Sequence, residues 1–251
     1  MLNNAKTAAL LAGLGGLIMA IGAIAGGTSG LTIGLVIALV TVGGSYWFSD
    51  KLAITAARAQ EVSEQEYPQY FATVRDLAQR ANIPMPRLYV APNPQPNAFA
   101  TGRNPEHAAV CVNEGLMQYL TWEEISGVLA HEISHVRNRD ILTSSVAAAI
   151  AMGITFAARM AMWGAMFGGG RNERDGGGIA DLLMIFLAPV AATVIQLAVS
   201  RSREYEADAS AARLLGTGEP LARALEKLEM GAQRIPVQVN QAQAQAYIVN
   251  P

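Results

Sequence analysis

The sequence predicts a mainly α-helical membrane protein with several spans and a small α+β domain. Composition gives the first indication, because 51% of the 251 residues are hydrophobic and only 15% are charged, whereas soluble domains carry about 25% charged residues. The second indication is a set of long apolar blocks. The third is the presence of polar segments with helix and strand patterns between those blocks. The net charge of −2 excludes the strongly basic surface typical of nucleic-acid binding. We therefore expect contact with a lipid bilayer and no nucleic-acid partner.

The first apolar block predicts two membrane helices rather than one. Residues 7–48 contain no charged side chain. A single helix of that length would extend about 63 Å, but the hydrocarbon core of a bilayer is only about 30 Å thick. The segment GGTSG, residues 26–30, supplies a turn between two spans. A cleaved signal peptide is excluded because the apolar run is too long and continues past any cleavage site.

Two later apolar blocks predict the third and fourth spans, at residues 144–167 and 179–199. A glycine-rich polar loop, residues 168–178, joins them. Arg159 lies within the third block, where a charge costs at least about 2.5–3.5 kcal/mol. We therefore expect Arg159 to face protein or water, unless this segment does not fully cross the membrane.

The distribution of lysine and arginine predicts which side of the membrane each segment occupies. Seven cations flank the spans on one side, against Arg171 and Arg174 on the other. The seven are Lys6, Lys51, Arg58, Arg137, Arg139, Arg201 and Arg203. By the positive-inside rule, both termini and residues 51–140 lie in the cytoplasm. The single cysteine, Cys111, excludes an intrachain disulfide and is expected to be a small core residue.

The chain thus divides into four segments. Residues 1–50 form two membrane helices, and residues 51–143 form a cytoplasmic domain. Residues 144–199 form two further membrane helices with the glycine-rich loop between them, and residues 200–251 return to the cytoplasm. The last segment is expected to begin as a helix to about residue 215 and to continue with a short helix at 221–230.

The cytoplasmic domain is predicted to combine helices with short strands. Apolar residues recur at helical spacing over residues 64–81, and the prolines of NIPMP end that helix. Residues 87–91 and 108–112 have the pattern of strands, and residues 97–102 that of a third strand at the sheet edge.

A further helix carries two histidines four residues apart. Thr121 and Glu124 have the spacing of a capping box at its start. On a helix, His131 and His135 lie about one turn apart, so both imidazoles can reach one metal ion. Glu132 projects about 100° away from His131, where it can contact a water molecule instead. A chance occurrence of this H-E-x-x-H pattern would be a surface pair without a metal; the capped helix favours the metal site.

A catalytic zinc ion usually has three protein ligands, so a third must come from elsewhere. His107 is the only other histidine and is predicted to be a surface residue of a loop. The segment SRSREYEADASAARLLG, residues 200–216, is the stronger candidate. Its Glu204 could bind the ion, and Asp208, four residues later, could hold the distal N–H of a ligand histidine, His131 in particular.

The segments NAFATG, LAHEISHVRNRD and SRSREYEAD, together with the four predicted spans, resemble those of HtpX-type membrane zinc peptidases. The resemblance covers nearly the whole chain and implies a gluzincin-like α+β zinc-peptidase domain. It implies that His131, His135 and Glu204 bind one zinc ion, that Glu132 is catalytic, and that Asp208 supports a ligand. It also implies a strand that aligns the substrate, formed by Asn97, Ala98, Phe99, Ala100, Thr101 and Gly102.

The function implied by this resemblance is a zinc-dependent endopeptidase of the bacterial inner membrane. Its partners would be misfolded or damaged membrane proteins and unfolded polypeptides, as part of a stress response. Members of the family usually continue past the segment AYIVNP into a His-Pro-Pro stretch and a later arginine, so we expect residues 200–251 to be C-terminally truncated. The alternative is therefore a zinc-binding membrane scaffold without proteolytic activity. A protease that cuts within spans is disfavoured, since Glu123, Glu124, Arg137 and Asp140 flank the histidines.

Overall fold

The computed structural model describes residues 2–142 and 201–234, and both ranges are predominantly helical. The helices are α1 (Leu2–Ala56), α2 (Pro68–Ala81), α3 (Glu114–Tyr119), α4 (Trp122–Arg137), α5 (Arg201–Leu215) and α6 (Glu219–Arg234). The strands are β1 (Gln60–Glu61), β2 (Arg87–Ala91), β3 (Ala98–Thr101) and β4 (Ala109–Asn113), and a 3-10 turn covers Pro105–His107. The expected mainly helical fold with a small sheet is confirmed. The predicted spans at 144–167 and 179–199, the loop at 168–178, Arg159 and residues 235–251 lie outside the described residues.

Helix α1 is broken in the predicted place. Gly26 (φ −147°, ψ 22°) and Gly27 (φ 56°, ψ −137°) leave the helical region, and glycine adopts the positive φ of Gly27 at little cost. The two halves then pack against each other. A Cβ atom at Gly15 would lie 3.9 Å from side-chain atoms of both Ala38 and Val42, which is an ordinary van der Waals distance.

The second half of α1 contains a candidate membrane span, Gly26–Gly44, with 19 residues and a mean hydropathy of 1.7. Its large apolar side chains are exposed, namely Leu31, Ile33, Leu35, Val36, Ile37, Leu39 and Val40. The first half contains a shorter apolar stretch, Leu11–Ala20. Within residues 2–142 and 201–234 the structure thus has one helix that meets the length and composition of a span, and the multi-span prediction is not confirmed there.

The sheet has the strand order β1-β2-β4-β3. Strands β2 and β4 are parallel, and the other two pairs are antiparallel. The predicted third strand is therefore an edge strand, as expected, whereas β1 was not predicted. Arg87 and Thr101 both pair with Ala109, which brings the start of β2, the start of β4 and the end of β3 to one end of the sheet. Cys111 on β4 is fully buried, as predicted.

Helix α2 is shorter than the predicted helix at 64–81. The residues before it form a turn in which the backbone N–H of Ser63 donates to Glu66 Oε2 over 2.9 Å and the Ser63 hydroxyl donates to the same oxygen over 2.7 Å. Pro68 then occupies the first turn of the helix, where the missing proline N–H costs nothing. The apolar spacing was correct, but the proline and the turn set a later start.

Helix α4 lies at the centre of the domain. It packs against α2, α5, α6 and β3, and Val128, Leu129 and Ile133 are fully buried. The predicted capping box is present: Thr121 N donates to Glu124 Oε2 over 2.8 Å, and Glu124 N donates to Thr121 Oγ1 over 3.4 Å. The helix is therefore fixed at its start by local bonds and along its length by packing.

Candidate metal centre

Helix α4 brings the two predicted histidines together. Four-residue spacing puts His131 and His135 on the same face, and their Nε2 atoms lie 3.0 Å apart. Only 9% of His131 is exposed. Two nitrogen atoms this close, in a buried position, are arranged to share one cation.

Helix α5 adds a carboxylate from a distant part of the chain. Glu204 Oε2 lies 3.5 Å from the Nε2 atoms of both His131 and His135. The ligand atoms of these three residues all lie within 4.8 Å of one another. Ligands that hold zinc tetrahedrally at about 2.0–2.1 Å are about 3.3 Å apart. The observed separations lie close to this value on either side, so the three groups fit a zinc ion.

A carboxylate lies behind each imidazole. His131 Nδ1 is 2.8 Å from Asp208 Oδ1, and His135 Nδ1 is 3.1 Å from Asp140 Oδ1. An ionised carboxylate only accepts hydrogen bonds, so each Nδ1 donates, and each Nε2 is left facing Glu204. Such partners fix both the ring orientation and the tautomer of a metal-binding histidine.

Sequence reasoning anticipated Asp208 and missed Asp140. Asp140 follows the end of α4, where a helical projection no longer applies. Arg139 adopts a left-handed conformation (φ 57°), and the backbone N–H of Asp140 donates to the carbonyl of His135 over 3.3 Å. The chain therefore turns back on itself and returns Asp140 to His135. The only signal in the sequence was an acid shortly after the second histidine.

The electrostatics of the cluster favour a cation. Burial alone lowers the pKa of His131, but hydrogen bonds with Asp208 and Glu204 outweigh it and raise the pKa to about 9. Burial is likewise outweighed at His135, whose pKa lies well above its usual value because of Asp140 and Glu204. Although burial raises the pKa of the Glu204 carboxyl, the two histidines lower it far below its usual range. The surrounding carboxylates thus stabilise positive charge at the position between the two Nε2 atoms.

Glu132 lies beside the cluster and outside the set of three ligand groups. Only 6% of this residue is exposed, and its Oε2 accepts a hydrogen bond of 2.8 Å from the backbone N–H of Ala100 on β3. Burial raises the pKa of the Glu132 carboxyl, partly opposed by the two histidines. A carboxyl group in this environment binds a proton more strongly than an exposed glutamate does.

The predicted substrate strand runs past Glu132. Asn113 N donates to Asn97 O over 2.8 Å, and backbone groups alternate along a strand, so Asn97, Phe99 and Thr101 direct theirs toward β4. Ala98 and Ala100 direct theirs toward the opposite edge, where Ala100 contacts Glu132. Phe99 and Ala100 are partly exposed, while the other four residues of the predicted set are buried.

Gly102 ends this strand in a conformation that other residues rarely adopt. Its φ is 132°, and a Cβ atom there would overlap the carbonyl oxygen of His107. The close approach keeps the loop after β3 against the 3-10 turn. His107 itself is exposed and hydrogen-bonds Asn104 through Nδ1 over 2.7 Å, so it lies outside the metal cluster, as expected.

Comparisons with known proteins agree with this geometry. The model of Peptidase family M48 matches residues 64–246. A protein named Protease HtpX homolog from Syntrophobacter fumaroxidans is 53% identical over 98% of this chain and 89% of its own length. A protein of the same name from Pelotomaculum thermopropionicum is 51% identical over 100% of this chain and 90% of its own length. Another from Aquifex aeolicus is 49% identical over 94% of this chain and 80% of its own length. The protein therefore belongs to peptidase family M48 and is a metallopeptidase.

Proposed function

We propose that this chain is a zinc-dependent endopeptidase of the bacterial inner membrane that cleaves damaged or misfolded membrane proteins on their cytoplasmic side. One observation carries the proposal: the ligand atoms of His131, His135 and Glu204 lie within 4.8 Å of one another, and the adjacent Glu132 accepts a hydrogen bond from the edge strand β3. Membership of a metallopeptidase family supports the reaction. The stress response is the biological setting that we propose for it.

In this proposal, His131, His135 and Glu204 hold the ion, and Asp208 and Asp140 orient the two imidazoles. Two histidines with one carboxylate suit zinc. Bound zinc supplies a Lewis acid, which lowers the pKa of water toward about 7 and stabilises negative charge on a carbonyl oxygen. Glu132 accepts a proton from the attacking water and passes it to the leaving amine. Its buried position supports that role, since burial increases the proton affinity of a carboxylate.

The edge of β3 offers a way to align the substrate. An extended peptide can add to an exposed strand through main-chain hydrogen bonds, and these bonds require no particular side chains. Ala100 is partly exposed and directs its main-chain groups away from β4, so its carbonyl is the proposed hydrogen-bonding contact, because its N–H donates to Glu132. The other five residues, Asn97, Ala98, Phe99, Thr101 and Gly102, shape the strand around it. Recognition through the main chain is well suited to unfolded polypeptides of varied sequence.

Substrate choice would follow from attachment to the membrane. The candidate span Gly26–Gly44 leads through the rest of α1 directly into β1 of the peptidase domain. We propose further spans at 144–167 and 179–199, and a cytoplasmic location for residues 51–143 and for the segment that begins at 200. Such an arrangement would keep the site near the bilayer surface, where loops and tails of membrane proteins are concentrated.

The experiment is casein cleavage by the full chain, purified in detergent with a chelator and then supplied with zinc. Zinc-dependent cleavage is expected, and Glu132→Gln should lower its rate by about 10²–10⁴-fold, the usual contribution of a general base. Glu206→Gln is the matched control, because Glu206 is exposed on α5 and pairs with Arg213 over 2.9 Å. Bound zinc at one equivalent with no Glu132-dependent cleavage would contradict the peptidase mechanism.

Substrate class is tested after reconstitution into bilayers. A membrane-anchored protein with an unfolded cytoplasmic tail should be cleaved faster than the same tail free in solution. Equal rates for the two substrates would contradict the membrane-protein preference and leave the peptidase assignment intact.

A further inference from the structure

A cavity of about 730 Å³ lies between the C-terminal half of α1 and one end of the sheet. Its lining does not include the proposed metal ligands, Glu132 or any residue of β3. One part of the wall is apolar and is formed by Leu39, Val40, Gly43 and Gly44. The candidate membrane span ends at Gly44, so the apolar part belongs to the end of that span.

The remainder of the lining carries charged side chains. Lys51 on α1 and Arg103 after β3 contribute two positive charges. Val40 and Lys51 are separated by about 16 Å along a helix, at about 1.5 Å per residue. The lining therefore changes from apolar to cationic along α1, in the direction that leads out of the candidate span.

Two cations of the lining form no ion pair with an acid within the described part of the chain. Arg87 also lines the cavity, but it forms an ion pair of 2.7 Å with Asp50. By contrast, Lys51 lies 5.7 Å above the ring of Phe48, and Arg103 lies 4.8 Å above the ring of Trp47.

Within residues 2–142 and 201–234, neither Lys51 nor Arg103 forms an ion pair with a carboxylate. Glu106 is the second carboxylate of the lining and is exposed. The lining thus has three positive charges, from Lys51, Arg87 and Arg103, and two negative charges, from Asp50 and Glu106. One positive charge remains among these residues to attract an anion.

We propose that this cavity binds an anionic phospholipid of the surrounding bilayer. Its phosphate would contact Lys51 and Arg103, and one acyl chain would lie along Leu39, Val40 and Gly43. Trp47 and Phe48 are about half exposed and sit just beyond the span, where aromatic residues prefer the headgroup level of a membrane. A soluble anion would use the cations but leave the apolar wall in contact with water, so the cavity fits an amphiphile better.

Bound lipid would contact the segment that holds the edge strand. Arg103 follows Gly102 directly, and Thr101 is the last residue of β3. A lipid phosphate on Arg103 would tie this end of the strand to the membrane surface. This site is independent of peptide hydrolysis, so the two proposals can fail separately.

The experiment measures lipid binding to the full chain by native mass spectrometry in a neutral detergent. A Glu132→Gln background removes the proposed general base, so that lipid binding is measured without peptide hydrolysis. The probes are phosphatidylglycerol and phosphatidylcholine with identical acyl chains, together with soluble glycerol phosphate. The first phosphatidylglycerol should bind roughly 10- to 30-fold tighter than phosphatidylcholine, from the attraction between two cations and an anionic headgroup. Glycerol phosphate at millimolar concentration should not displace it.

Two pairs of variants separate the charge from the apolar wall. Lys51→Gln with Arg103→Gln should remove the preference, whereas Arg58→Gln with Arg75→Gln removes the same charge outside the cavity and should retain it. Gly43→Leu should weaken phosphatidylglycerol binding, because nothing lies within 4 Å of a Cβ at Gly43 and the leucine would fill the groove. Gly13→Leu is its control, since a Cβ there also meets nothing within 4 Å and Gly13 is outside the lining.

Any one of four results would overturn the proposal. Equal affinity for the two lipids would remove the anionic requirement. Equal loss of preference in both charge variants would indicate attraction to the protein surface as a whole. Displacement by glycerol phosphate, or full binding by Gly43→Leu, would show that the acyl chain does not occupy the cavity.

Discussion

The second half of α1 and helix α4 are both rich in small and aliphatic residues, but they end in opposite surroundings. Val36 on α1 is 57% exposed, whereas Val128 on α4 is fully buried. Residues 26–44 contain no charged side chain, while α4 begins with Glu123 and Glu124 and ends with Arg137. The comparison shows that apolar content indicates that a helix is removed from water. It does not indicate whether protein or lipid covers the helix. The charged residues near both ends of α4 leave an apolar run too short to span a bilayer, whereas residues 26–44 of α1 are uncharged over the length of a span.

The largest expected effect comes from placing a carboxylate in each helix. Val128→Asp should lower the free energy of unfolding by more than about 4 kcal/mol, because no partner exists for a charge in that core. Val36→Asp should leave the peptidase domain's unfolding temperature unchanged in detergent and reduce membrane insertion. Thermal unfolding and a carbonate-extraction assay check the two outcomes. Similar destabilisation by both variants would mean that α1 packs in a protein core.

A smaller effect is expected from adding one methyl group at a glycine. A Cβ at Gly127 would overlap the backbone of Leu221 on α6, so Gly127→Ala should destabilise the domain by about 1–3 kcal/mol. Gly16 on α1 meets nothing within 4 Å, and Gly16→Ala should be neutral or stabilising by up to about 1 kcal/mol through helix propensity. Chemical denaturation measures both. A neutral Gly127→Ala would refute the close α4–α6 packing.

The residues that hold α4 and its histidines in place should also affect the affinity for zinc. Asp140→Ala removes the acceptor behind His135 and should weaken zinc binding by about 10–100-fold, as expected for the loss of such a partner. Asp140→Asn keeps an acceptor without the charge and should fall between Asp140→Ala and the unmodified chain. Competition with a chromophoric chelator gives the affinity, and the unfolding temperature of the zinc-free variants reports any purely structural loss. Unchanged affinity in both variants would exclude a positioning role for Asp140.

The smallest effect concerns the start of α4. Lys227 contacts Glu124 over 2.8 Å, and its hydrogen bond is the main reason why the pKa of Glu124 is lowered from 4.5. A lowered folded-state pKa stabilises the fold above the unfolded value, and this contribution is lost as pH falls through the folded value. The stability difference from Glu124→Gln should therefore be largest near neutral pH and shrink below about pH 4.5. Denaturation between pH 7 and pH 3, with Glu219→Gln as control, measures it; a constant difference would contradict the linkage.

Patterns in the sequence correctly predicted those features that depend on interactions between residues close together in the chain. Thr121 and Glu124 fix the start of α4 through bonds within one turn, and residues 87–91 were assigned with the bounds of β2. The convergence of His131 and His135 follows from helix geometry alone. Strand β1 was missed because two residues are too few to show the alternation of polar and apolar side chains that marks a strand. Its pairing also depends on β2.

Features that depend on tertiary geometry could not be derived in this way. Asp140 reaches His135 only because Arg139 turns the chain, and nothing in the sequence specifies that left-handed conformation. Glu204 was found by matching acid spacing to the need for a third ligand. The cavity beside α1 requires the relative position of a membrane helix and the end of the sheet, which no pattern within either segment contains.

The division of the ligands between α4 and α5 sets an order of events during synthesis. The ribosome makes both histidines before Glu204 and Asp208, and the predicted third and fourth spans lie between them in the chain. A nascent chain therefore presents two imidazoles without the carboxylate that completes the cluster, and the catalytic centre cannot assemble until the later segment has emerged and α5 has docked on α4. The metal site is thus completed by the part of the chain that is synthesised after both histidines.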